Sequence, residues 1–129
     1  MTDTYNVQLR HRLQTDREGC VVKGTVGTGA GDIDFYVTVN FFPDKTPGEV
    51  FVVIAKCGSD LQGWVRAWAI AISIALQHGV PWEALADKFL NESFGMCIGT
   101  PSILHSITEK ITDAVGRVKA GELKIGRGE

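Results

Sequence analysis

The chain has 129 residues, 44% of them hydrophobic and 22% charged, with a net charge of −2. That is enough chain to bury one core without staples, so a single domain spanning 1–129 is expected. With no broad basic field, nucleic acid and anionic membrane surfaces are set aside as partners.

Residues 1–6 read as frayed. Val7 to Leu13 alternates apolar and polar side chains, the pattern of a half-buried strand. After a turn at Thr15–Gly19, Cys20 to Val26 reads as a second strand. The glycine-rich KGTVGTGAGD that follows lacks a GKS/T ending and precedes no helix, so it is read as a hairpin and not a phosphate loop. Ile33 to Phe42 is a third strand, with Phe35, Val37, Val39 and Phe41 in alternation. Pro43 to Gly48 turns into Glu49–Ala55, a continuous apolar, β-branched run.

Lys56 to Asp60 is a polar turn. Ser59 is expected to cap a helix, with Gln62 completing a capping box. Leu61 to Gln77 is nearly all apolar and stops at His78-Gly79, with Pro81 just beyond. It is short for a membrane span and holds Arg66, so it is expected to be a buried central helix. Gly63, Ala67, Ala69, Ala71 and Ala75 permit close backbone approach. Gln62, Arg66, Ser73 and Gln77 are expected to form its solvent side. A second helix begins near Pro81, with Trp82, Leu85, Ala86, Phe89 and Leu90 as its stripe. Asn91 to Gly99 reads as an irregular crossing and Ile103 to about Lys119 as a third helix. Residues from about 117 to 129 read as a loose end. The expected fold is α+β: an N-terminal antiparallel meander of about four strands, followed by three helices packed on one face of the sheet.

No catalytic constellation emerges. Cys57 stands beside Lys56 before a helix N-terminus, both of which lower a thiol pKa. Yet His11, His78 and His105 belong to distant elements, and the thiol is read as unreactive. Asp32 and Asp34 are assigned to hairpin solvation, and no metal site is expected. Three widely spaced cysteines without CxxC suit a reducing compartment, and the N-terminus has no apolar signal core, so a cytoplasmic protein is expected. Trp64 and Trp68 lie one turn apart and, if exposed, would make a dimer or ligand-stacking surface. One anion site is indicated: Lys56, Gly58 and Ser59 precede a helix whose free N–H groups and dipole favour a phosphate or carboxylate. The alternative stays open that Ser59 only caps and Lys56 only meets solvent.

Several short motifs together resemble the TSCPD domain, found near the C-terminus of adenosylcobalamin-dependent (class II) ribonucleotide reductases and as short stand-alone proteins. They are Gly48, Glu49 and Phe51; Lys56, Gly58 and Ser59; Ser73, Ala75, Leu76, Gly79, Val80 and Pro81; then Lys88, Phe89, Ser102 and Ile103. The resemblance covers roughly Gly31 to Ile111. The motif that names the family is altered: Ser102 is kept, while Ile103 and His105 stand where cysteine and aspartate would, so a thiol or metal role of that motif is not expected. The chain is too short for the reductase's catalytic barrel, radical-site cysteines and cobalamin site, so neither catalysis nor a cofactor is expected. The resemblance implies a nucleotide-metabolism context. It points to a stand-alone, non-catalytic domain binding a nucleotide-like anionic ligand through Lys56, Gly58, Ser59 and Arg66, as a regulator or a sequestering protein. The alternative is an oligomerisation or docking module that associates with itself, as a homo-oligomer, or with a ribonucleotide reductase.

Overall fold

The computed structural model describes residues 9–15, 17–55, 58–95 and 97–127. Period-two alternation builds the sheet first. Strand β1 (Glu18–Thr28) and strand β2 (Gly31–Phe41) form an antiparallel hairpin closed by Gly29-Ala30, and β2 pairs in turn with β3 (Pro47–Ile54). Val26, Phe35, Val37, Val39, Phe41, Val50, Val52 and Ile54 all point to one face and are buried there. The opposite face shows Val21, Tyr36, Phe51 and Val53 to solvent.

Three helices cover the buried face: α1 (Ser59–Gln77), α2 (Trp82–Phe89) and α3 (Ile103–Lys119). Helix α1 lies along β3, α3 lies across β1 and β2, and α2 packs on α3. The stop of α1 is fixed by its last residues. Gly79 takes φ +90°, a conformation a side chain resists. Its N–H donates to Leu76 O at 3.0 Å, and that of Val80 to Ala75 O at 3.1 Å, the paired bonds of a Schellman motif. Pro81 then N-caps α2. Trp82 fills the core beneath and donates its indole N–H to Thr112 Oγ1 at 3.0 Å.

The architecture is α+β as expected, but the strand inventory differs. Leu9–Leu13 belongs to no strand, and residues 7 and 8 lie outside the described part. The segment instead runs along the end of α1, with the His11 N–H bonded to Gln77 O at 2.7 Å and Leu13 sunk into the core. The fourth place in the sheet, beside β1, goes to β4 (Cys97–Ile98), giving the order β3-β2-β1-β4. A further two-residue strand, β5 (Gly126–Arg127), pairs with Glu18–Gly19 at the other end of β1. The stretch after α3 is therefore tied to the sheet, and Leu123 and Ile125 pack against the core, where a loose end was expected. Residues 1–6 lie outside the described part. Cys20 and Cys97 are both free and half-buried, and burial pushes the Cys20 thiol up against the opposing pull of Arg117.

Candidate ligand-binding site

The turn singled out in the sequence connects β3 to α1. Lys56 and Cys57 lie outside the described residues. Gly58, extended at φ −66° and ψ 156°, is the N-cap residue, and Ser59 is the first residue of the helix. Glycine has no side chain to cap with, and the N-cap position expected for Ser59 falls on Gly58. The start of this 19-residue helix thus lacks a side-chain cap on its N-cap residue, and Asp60 is the acidic residue of its first turn.

Gln62 is engaged elsewhere, and the reason corrects the reading of α1. Strand β3 is the outer strand of the sheet, and its even-numbered residues turn their backbone groups away from β2. Helix α1 supplies their partners. Gln62 Oε1 accepts from the Ile54 N–H at 2.7 Å, and its Nε2 donates to Val52 O at 3.2 Å. Ser73 Oγ accepts from the Val50 N–H at 2.9 Å and lies 3.2 Å from Val50 O and 2.8 Å from Ala69 O. Gln77 Nε2 donates to Gly48 O at 3.0 Å. The polar stripe expected to face solvent therefore faces the strand edge at Gln62, Ser73 and Gln77. The physical cause is that buried backbone groups require partners. Arg66 alone of the four is exposed.

Beyond this ladder, between β3 and α1, opens a groove of about 340 Å³, and Arg66 lines it together with Arg10. The Arg10 Nε donates to Gln77 Oε1 at 2.6 Å. Glu49 also lines the groove, but its carboxylate is buried and engaged, accepting from Asn40 Nδ2 at 2.8 Å and Arg17 Nε at 3.0 Å. Arg10 and the Arg17–Glu49–Asn40 cluster escaped sequence reasoning, since their partners are far away in the chain. A larger cleft of about 620 Å³ lies at the opposite end of α1, between Phe42, Pro43, Val80 and Trp82, and holds none of the predicted site residues.

The remaining candidates resolve into structural roles. Trp68 sets its ring edge-on to Phe89, with centroids 5.4 Å apart, whereas Trp64 is 77% exposed. Asp34 accepts from Thr25 Oγ1 at 2.8 Å, with Lys23 Nζ at 3.7 Å, so it braces the hairpin. Where the family's name motif falls, Ser102 is fully buried and caps α3, accepting from the His105 N–H at 3.0 Å and donating to Glu92 O at 2.8 Å. His105 places Nδ1 2.7 Å from Leu90 O and Nε2 2.8 Å from Glu109 Oε1. The stretch thereby fastens the start of α3 to the end of α2. Among the described residues no three His, Cys, Asp or Glu side chains are grouped to hold a metal ion, and no helix is long and apolar enough to cross a membrane.

Comparison with known proteins gives a consistent family. The family model of the TSCPD domain matches residues 4–118. The vitamin B12-dependent ribonucleotide reductase of Streptantibioticus cattleyicolor is 43% identical over 86 residues, 67% of this chain and 14% of that protein. The enzyme of the same name from Streptomyces clavuligerus is also 43% identical over 86 residues, 67% of this chain and 8% of its own. That of Rhodopirellula baltica is 32% identical over 108 residues, 84% of this chain and 10% of the enzyme. The chain thus spans a small fraction of the length of these relatives. No solved structure matches it.

Proposed function

Because this chain belongs to the TSCPD domain family, we propose that it is a non-catalytic ligand-binding unit for a nucleotide-like anion. It would act as a regulator or as a sequestering protein. The observation that carries the reading is the start of α1, where Gly58 leaves the long helix without a side-chain cap. Free N–H groups and the helix dipole there attract a phosphate, and Lys56 adds a positive charge that offsets Asp60. Arg66 is seven residues beyond Ser59, roughly 10 Å along the axis at 1.5 Å per residue. A ligand longer than a lone phosphate engages both.

Isothermal titration with ATP, cyclic AMP and a cyclic dinucleotide tests this. Wild type should bind at least one of them, and Lys56→Ala should weaken that binding about tenfold, the loss of one charge-assisted contact to phosphate. No heat with wild type, or equal affinity in Lys56→Ala, sinks the proposal.

A second reading is supported by α1. Trp64 stands 77% exposed beside Gly63 and Ala67, also exposed, a surface suited to a second copy or to a ribonucleotide reductase. Under this reading light scattering gives a multiple of the 14.0 kDa chain mass, and Trp64→Ser returns the monomer. A strict monomer that also fails to bind a reductase removes it.

A further inference from the structure

The outer face of α1 is laid out symmetrically about one residue. Asp60 and Arg66 stand three residues before and three residues after Gly63, and both are exposed. Neither takes part in an ion pair among the described residues. The exposed residues between them, Gly63 and Trp64, carry no charge. Within one copy Gly63 has no evident purpose. Glycine is the poorest helix former after proline, and a methyl group built there would meet nothing within 4 Å. The glycine opens a notch of about 310 Å³, rimmed by Asp60, Trp64 and Ala67. Trp64 also borders a second hollow, a groove of about 330 Å³ toward α3, walled by the apolar side chains of Leu61, Trp68, Phe94 and Leu104. An exposed indole thus stands between two hollows, each large enough to take an indole from outside.

We infer that α1 pairs with α1 of a second copy, antiparallel about a two-fold axis at Gly63, with Trp64 of each copy covering the hollows of the other. The inference rests on the self-association reading above and adds its geometry. Reversal about Gly63 exchanges positions 60 and 66. Asp60 of each copy therefore meets Arg66 of the other, and symmetry makes the pair twice. The absent Cβ at Gly63 lets the two backbones close where the axis passes. A foreign surface would have to bring an acid and a base about 9 Å apart in the matching order, at 1.5 Å per residue; a second copy brings them by symmetry. The Arg66 guanidinium has five N–H donors, so pairing with a carboxylate leaves it able to hold a phosphate as well.

Sedimentation velocity over a range of protein concentrations tests the pairing. Wild type should pass from the 14.0 kDa monomer to twice that mass as concentration rises. Asp60→Arg and Arg66→Asp each set like charges opposite one another at both ends of the contact, and each should weaken the dimer about tenfold or more. The double exchange Asp60→Arg/Arg66→Asp restores opposite charges and should recover the wild-type association. At concentrations where the chain is monomeric, Gly63→Ala should raise the thermal midpoint. At higher concentration it should weaken the dimer, a split that a glycine needed only by the fold would not give. A dimer that Trp64→Ser dissolves, but that neither charge exchange nor Gly63→Ala alters, overturns the axis at Gly63 and leaves self-association standing. Failure of the double exchange to recover the dimer overturns the axis as well. A wild type that stays monomeric at every concentration overturns both.

Discussion

Gly24→Ala should destabilise the protein by about 3 kcal/mol, at the upper end of overpacking costs. Gly24 and Phe35 are directly opposed on β1 and β2, and both face the core. A methyl group built at Gly24 would stand 2.1 Å from Phe35 Cζ and 2.6 Å from its Cε2. The ring lies flat over the glycine and has no solvent to retreat into, being wholly buried. For a domain of ordinary stability, about 5–15 kcal/mol, that is a large fraction of the total. Urea unfolding followed by circular dichroism measures it. The double variant Gly24→Ala/Phe35→Leu should recover part of the loss, because the collision is pairwise. A wild-type midpoint for Gly24→Ala would show that the ring can move.

The second large effect is expected at Ser73. Its hydroxyl is the partner of the Val50 N–H, in a buried bond of 2.9 Å. Ser73→Ala leaves that N–H without its acceptor inside the protein, which costs about 2 kcal/mol. The damage should be local as well as global. In hydrogen exchange, the Val50 amide should lose protection well before that of Val37, which lies in the middle of the sheet. An unchanged midpoint with Val50 still protected would mean that water or a shifted neighbour takes the hydroxyl's place.

Ser73 also shows where the sequence ceases to be readable. The strands of the meander were legible because alternation repeats over many residues, as in Phe35, Val37, Val39 and Phe41. The end of α1 was legible because Gly79 and Pro81 carry its stop locally. Periodicity shows that Gln62, Ser73 and Gln77 share one face of α1. It cannot show that an unpaired strand edge waits on that side and turns the face inward. Cys97–Ile98 and Gly126–Arg127 are too short to carry any pattern, and they displaced the strand expected at Val7–Leu13. At the candidate site, β3 ends at Ile54 and α1 begins at Ser59, so the capping residue moved by one position, from Ser59 to Gly58. The groove beyond it was hidden, because Arg10, from the segment before β1, and Arg66 and Ile70, from α1, line it together only in the folded chain.

The cover that α1 gives to β3 also governs how the protein can fail. Val50–Ile54, VFVVI, is uncharged, free of proline and rich in β-branched residues, the composition that stacks into amyloid-like zippers. It lies on an outer strand, where such a segment is most hazardous. Side chains of a helix, in place of another strand, occupy its outward backbone groups. Helix α1 is thus a folded gatekeeper: a partial lifting of this one helix, with the sheet still intact, is enough to expose a template for fibril growth. Shelf life and tolerance of high concentration should then follow the docking of α1 more closely than the global melting temperature.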